Sequence, residues 1–158
     1  MSEHFTLGEL TKSGSHPEVY NIPSHEAIAN LKRLCEWLEV LRERYNAKYG
    51  IGDEPIRINS GYRSPQLNKK IGGAPTSNHL TGCAVDIRVA GMEQALRYAV
   101  ILLDYADESN KDFDELLLEK NRYGTIWLHF AVRPKERSAT QEVACLIENR
   151  RKILFISA

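Results

Sequence analysis

No sign of charge dominates this sequence: Lys plus Arg number 21 and Asp plus Glu number 21, giving a formal net charge of zero. A protein that neutralises many phosphates carries a basic excess somewhere. Here the densest basic runs, Lys69-Lys70 and Arg150-Arg151-Lys152, are short enough to be solvated surface. Nucleic acid is therefore not the expected partner. Cysteine is scarce as well. Cys35, Cys83 and Cys145 are odd in number and show no Cys-x-x-Cys spacing, which argues against a disulfide framework and against a thiolate zinc site. They are expected to be reduced, mostly buried, small apolar side chains. Long hydrophobic runs are missing too: charges interrupt the apolar stretches every few residues, and none approaches the roughly 20 residues of a membrane helix. The opening Met1-Ser2-Glu3-His4-Phe5 lacks the basic-then-apolar layout of a signal peptide. These absences predict a soluble chain, cytoplasmic on synthesis.

The 158 residues are the usual size for one domain and short for two. We therefore expect a single domain over 1–158. Residues 1–24 are turn-rich, with Ser13-Gly14-Ser15-His16-Pro17 and Asn21-Ile22-Pro23-Ser24, and should form an irregular arm. Ile28, Leu31, Leu34, Cys35, Leu38, Leu41 and Tyr45 recur at three- and four-residue steps, predicting an amphipathic helix from His25 to about Tyr49, capped by Ser24 and stopped by Gly50. A short strand at 55–59 should deliver the loop Ser60-Gly61-Tyr62-Arg63-Ser64, and Ser64-Pro65 should start a short helix to about Lys70. A strand is expected at 82–89 and a helix at 92–105, with two more strands at 115–119 and 125–132 joined by a turn at 121–124. For 141–158 the pattern predicts a C-terminal helix, to about Arg151, and a tail. Long helices first and strands clustered among loops afterwards indicate an α+β fold with a small, mainly antiparallel sheet flanked by helices.

His4, His16 and His25 sit near the terminus, beside a proline and at a helix start, where surface or capping roles are expected. His79 and His129 pose a different question. His79 ends a Gly/Pro/Ser loop seven residues before Asp86, and Asp86 stands among Ala84, Val85, Ile87 and Val89. A carboxylate buried in such company needs a cation or several donors. His129, between Leu128 and Phe130 and next but one to Trp127, needs a polar partner for the same reason. A metal ion bound by His79, Asp86 and His129 answers both needs, with zinc suiting two nitrogens and an oxygen. A hydrogen-bonded core histidine and a structural aspartate answer them equally from these residues alone. Strand alternation turns Cys83 away from Asp86, so Cys83 is not expected to be a fourth ligand.

The string Ile58-Asn59-Ser60-Gly61-Tyr62-Arg63-Ser64, then Ser77-Asn78-His79-Leu80-Thr81-Gly82-Cys83-Ala84-Val85-Asp86 and Trp127-Leu128-His129, resembles the M15 metallopeptidases. That family reads approximately SGYRS, then SxHxxGxAxD, then Trp-x-His. Phe5 to Leu10, Asn21-Ile22-Pro23 and Phe113-Asp114-Glu115-Leu116 resemble its phage-type branch, so the likeness runs from about residue 5 to 135. It implies the DD-peptidase/hedgehog type of α+β fold. It also implies Zn2+ on His79, Asp86 and His129, and hydrolysis of peptide bonds in peptidoglycan stem peptides, as D-Ala-D-Ala carboxypeptidase or endopeptidase. Action at the cell wall would then come through phage lysis or a virion.

The resemblance also implies site roles. Arg63 is suited to a substrate carboxylate or a developing oxyanion, because its planar fork donates two bonds at once, and a structural salt bridge is its other reading. Ser77 either bonds substrate or shapes the loop before His79. Tyr62 is expected beside Arg63 as a substrate contact, and Trp127 lines either the cleft or the core. The sequence departs from the family at the general base, since Ile126 stands where many relatives have an acid three residues before the last histidine. Glu119, across the expected hairpin, is the replacement; an ordinary hairpin-end carboxylate is the alternative. Asp114 and Glu115 are expected at the surface or strand edge. The missing acid keeps a second function in play, a catalytically impaired zinc-containing wall-binding or phage structural module.

Overall fold

The computed structural model describes residues 1–50, 52–133, 142–147 and 150–153, the last two segments as backbone only. Elements run α1 (Leu7–Leu10), α2 (His25–Tyr49), β1 (Ile58–Ser60), α3 (Pro65–Lys70), a 3-10 turn (Asn78–Thr81), β2 (Ala84–Arg88), α4 (Met92–Ser109), β3 (Glu115–Lys120), β4 (Ile126–Ala131), β5 (Glu142–Ile147) and β6 (Arg150–Ile153). The capping expected from the sequence is present: the Ser24 side chain accepts from the Ala27 N–H, and Ser64 accepts from Leu67 with Pro65 in the first helical turn. These bonds satisfy donors that a helix start otherwise leaves orphaned.

The strands form one sheet in the order β1-β2-β4-β3-β5-β6. The four that carry the site pair antiparallel, with Asp86 opposite His129 across β2 and β4, and Leu117 opposite His129 across β3 and β4. Side chains alternate across each strand, so this register sorts the residues of the sheet into two faces. One face carries Val85, Ile87, Leu128, Phe130 and Leu116, which are at most 2% exposed and pack with Leu31, Leu34, Leu38 and Leu41 of α2 and with Leu102 of α4. Each such leucine contributes about 2 kcal/mol by leaving water. Trp37 closes this core against Tyr105, Phe113 and Phe130, with ring centroids 4.9, 6.2 and 5.1 Å away. The opposite face carries Asp86, His129, Leu117, Trp127, Glu115 and Glu119.

The expected C-terminal helix at 141–158 is corrected. Residues 142–147 form β5, parallel to β3, and residues 150–153 form β6, antiparallel to β5; the rest of that tail lies outside the described residues. Val143-Ala144-Cys145-Leu146-Ile147 is a five-residue apolar run, and periodicity over so short a run does not separate strand from helix. The outer edge of β3 decides, because residues 142–147 pair with its N–H and C=O groups along all six residues. The fold remains α+β, with one parallel pairing in an otherwise antiparallel sheet. Among the described residues no helix is long and apolar enough to cross a membrane.

The connection from β1 to β2 folds over the polar face and is pinned where side chains would obstruct it. A Cβ at Gly61 would stand 2.4 Å from the Leu10 carbonyl oxygen. One at Gly82, whose φ is +73°, would stand 2.5 Å from the Ala27 carbonyl oxygen. Glycine at both positions lets backbone approach backbone, and this brings the 3-10 turn with His79 down beside β2.

Candidate metal centre

His79, Asp86 and His129 come together on the polar face, 2%, 8% and 7% exposed. One ligand atom from each lies within 4.8 Å of the other two. Among the described residues this is the one cluster of histidine, cysteine and acidic side chains able to hold a metal ion. Cys83 is fully buried on the other side of the sheet, as alternation predicts.

The hydrogen bonds around the cluster decide which atoms face inward. His79 Nδ1 lies 2.6 Å from the Gly61 carbonyl oxygen, which can only accept, so Nδ1 carries the proton and Nε2 presents its lone pair. That lone pair faces Asp86 Oδ1 at 3.3 Å. His129 Nδ1 faces the same oxygen at 2.9 Å, while its Nε2–H donates to Glu115 Oε2 at 3.0 Å. With His129 neutral, two imidazole lone pairs and a carboxylate oxygen converge on one place, and either a proton or a metal ion between them relieves the repulsion. Zinc bonds to such ligands are about 2.0–2.2 Å, which puts tetrahedral ligand atoms about 3.3 Å apart, close to the separations of Asp86 Oδ1 from the two histidine nitrogens, 3.3 and 2.9 Å. Gly61 and Glu115 supply the outer hydrogen bonds that hold metal-ligating histidines in one tautomer.

Electrostatics follow from this packing. Burial pushes the Asp86 pKa up, but the charges and hydrogen bonds of His79 and His129 outweigh it, and the carboxyl lies well below its ordinary value. Burial dominates at His79 and holds it below its ordinary value, hence neutral and ready to ligate. At His129 burial is outweighed by the hydrogen bonds to Asp86 and Glu115, and the pKa rises to about 10. Without metal, His129 is therefore an imidazolium between two carboxylates. Its folded pKa lies above the ordinary 6.5, so the stabilisation it brings is complete below about pH 6.5 and disappears as pH rises through about 10. A metal ion takes the place of that proton. Zinc binding near neutral pH is expected to release about one proton per ion, measured by titration calorimetry in buffers of different ionisation enthalpy; buffer-independent heats would contradict this.

Glu115 and Asp114 are a correction to the surface or edge positions expected for them. Asn78 Nδ2 donates to Asp114 Oδ2 at 2.8 Å and to Glu115 Oε2 at 3.0 Å, and Asp114 is only 7% exposed. Burial pushes the Glu115 pKa up, but the hydrogen bonds from His129 and Asn78 and the charges of the two histidines together outweigh it and lower the pKa. The signal in the sequence was alternation: Glu115 is two residues from Leu117, which pairs with His129, and so shares its face.

The other expected site residues fall as follows. Arg63 is held by Nε–H donation to Ser60 Oγ at 2.8 Å and by a close ion pair between its Nη2 and Asp86 Oδ2. The structural salt bridge is thus present, yet it engages the carboxylate oxygen that the histidines do not use. Of the five guanidinium N–H donors these contacts occupy two. Ser77 caps the 3-10 turn, its oxygen accepting the His79 N–H at 3.4 Å, which is the loop-shaping role. Tyr62, expected as a substrate contact, is 7% exposed and part of the hydrophobic core, and its N–H donates to the Leu10 carbonyl. Trp127 and Glu119 face each other across β4 and β3, one rung from His129 and Leu117, and both are half-buried. Burial raises the Glu119 pKa, against the charge of His129 and a hydrogen bond from the Trp127 indole. Ile126 lies half-buried at the start of β4, opposite Lys120.

The family model for peptidase M15 matches residues 3–106, more than half of the chain. The match takes in Arg63, His79 and Asp86 and stops short of β3 and β4, so it is the register of β2 against β4 that adds His129 to the set. A zinc D-Ala-D-Ala carboxypeptidase from Streptomyces albus G is 32% identical over 84 residues, which are 53% of this chain and 31% of that protein. The similarity thus spans about a third of the relative's length. On the family match, and with a His-Asp-His cluster of the right donors at the right separations, this chain belongs to the peptidase M15 family.

Proposed function

We propose that this chain is a zinc-dependent peptidase that hydrolyses peptide bonds in bacterial peptidoglycan stem peptides, as a D-Ala-D-Ala carboxypeptidase or as an endopeptidase. The observation that carries the reading is the convergence of His79 Nε2, Asp86 Oδ1 and His129 Nδ1 on the polar sheet face that also presents Glu119. The relative named for zinc and D-Ala-D-Ala supports the substrate class. Residues 1–158 constitute one peptidase domain in this reading.

When bound, zinc supplies Lewis acidity, polarising the scissile carbonyl and acidifying water. The chain's own residues do the rest. Glu119 takes a proton from the attacking water and returns it to the leaving nitrogen as the C–N bond breaks and the C–O bond forms. In the metal-free protein burial raises its pKa, which makes the carboxylate a stronger base. Arg63 keeps Asp86 oriented with one N–H and turns its remaining donors to the substrate carboxylate or the developing oxyanion. Trp127 forms one wall of the substrate cleft and orders the Glu119 carboxylate through its indole N–H. Ser77 acts on His79 through the cap.

The test is metal content by elemental analysis of the purified protein, followed by incubation with muropeptides and detection of new amine termini. Stoichiometric zinc with amine release abolished by chelator and restored by zinc is the expected result. Zinc with no hydrolysis of any stem peptide would replace the peptidase by the wall-binding module, and a protein without affinity for zinc would overturn both.

A further inference from the structure

The N-terminal arm bears on the candidate site through Asn21. Asn21 lies in the extended segment before α2 and is half-buried, between Tyr20 and Ile22, which are 82% and 75% exposed. Its side chain turns inward. Nδ2 donates to the Tyr62 carbonyl at 2.8 Å and to the Thr11 carbonyl at 2.9 Å, and Oδ1 accepts the Ser64 N–H at 2.6 Å. One amide group therefore grips the chain on both sides of Arg63 and ties it to the end of α1. The backbone between these points is fixed as well, by Tyr62 N–H to the Leu10 carbonyl at 2.8 Å and Arg63 N–H to the His79 carbonyl at 3.0 Å. A second tie, an ion pair between Glu18 and Lys70, holds the arm against the end of α3.

We infer that Asn21 is a positioning residue for the reaction: it sets the direction in which Arg63 presents its remaining guanidinium donors to the anionic end of the substrate. The inference rests on the peptidase reading above and on Arg63 as the substrate-holding residue. Its physical basis is leverage. The Arg63 fork is anchored at its far end to Ser60 and Asp86, so a shift of residues 62–64 pulls on those two contacts and turns the remaining donors, and misplacement on the order of 1 Å can lower a rate about 100-fold. Surface position and a lack of contact with the metal ligands do not make Asn21 neutral, because both of its neighbours in the grip carry Arg63 between them.

The experiment is a double-mutant cycle on the full chain, Asn21→Ala, Arg63→Ala and both together, assayed for kcat and KM on a stem peptide with a free terminal carboxylate. Asn21→Ala is expected to lower kcat/KM about 10- to 100-fold with zinc content unchanged. In the Arg63→Ala background the same substitution is expected to change it less than about 2-fold, since residues acting through one another do not add. Equal losses in both backgrounds would overturn the inference and leave Asn21 a stability residue. If Asn21→Ala does not fold, Asn21→Asp keeps the acceptor for Ser64, removes both donors and goes through the same cycle. If the wild type hydrolyses nothing, the peptidase reading fails separately, and the clamp is decided by NMR on the zinc-loaded protein. Faster exchange of the Ser64 amide and the Arg63 Nε–H in the variant would uphold it, and unchanged exchange of both would overturn it.

Discussion

Replacing Glu119 by Gln is expected to lower kcat/KM about 100- to 10,000-fold while zinc content stays at the wild-type level. Gln keeps the shape and can still accept the Trp127 indole hydrogen bond, so what is lost is the proton-transferring oxygen. In metal-free protein the same residue has the opposite effect on stability. A carboxyl whose folded pKa exceeds its unfolded value binds more protons in the folded state, so stability falls as pH rises from about 4.5 through the folded pKa. The Gln variant does not titrate and should be at least as stable as wild type at neutral pH, measured by thermal unfolding of the two metal-free proteins. A catalytic loss joined to unchanged or increased stability identifies a functional carboxylate. Undiminished turnover would remove Glu119 from the mechanism.

The second large effect is expected at Asp86. Asp86→Asn should abolish stoichiometric zinc binding and destabilise the metal-free protein by about 3–5 kcal/mol, the usual result of removing one partner from a buried charged cluster. Asp86 is the shared acceptor for His129 and for the Arg63 guanidinium, and an amide cannot replace a carboxylate toward both. Its folded pKa is depressed, so its contribution is present above about pH 4 and is lost as pH falls through the folded pKa. The stability gap between wild type and variant should therefore be full at neutral pH and narrow in acid, as read from urea unfolding at several pH values. Added zinc should raise the melting temperature of the wild type by mass action and leave that of the variant unchanged. A variant that still takes up one zinc ion with wild-type affinity would remove Asp86 from the ligand set.

Much of this arrangement is legible along the chain. The apolar spacing from Ile28 to Tyr45 marks α2, and Ser24 and Ser64 announce helix starts, because caps and amphipathic stripes depend on neighbours three or four residues away. Asp86 and His129 declare themselves by being polar where the surrounding run is apolar, whereas His79 stands at the end of a polar loop. Ser77 follows the same local logic, since its partner is two residues on. The readings that changed are those with distant partners. Tyr62 was expected beside Arg63 at the substrate, and the contact of Gly61 and Tyr62 with Leu10 takes it into the core instead. Glu115 was expected at a strand edge, and its partners are Asn78 and His129, 37 and 14 residues away.

By itself the sequence determined which residue types could ligate a metal, which faces of the helices and strands are apolar, and where each long helix begins. Periodicity and capping are local properties, written within one or two turns of chain. Only the tertiary structure decided that β2 lies against β4 in the register that sets Asp86 opposite His129, 43 residues apart. It likewise decided that β3 brings Glu115 and Glu119 to the same face, that Asn21 grips the loop of Arg63, and that residues 142–147 extend the sheet. The reason is that strand pairing is made by backbone N–H and C=O groups, which are the same in every residue except proline. Which strand meets which, and in what register, is settled by packing the whole apolar face against α2 and α4.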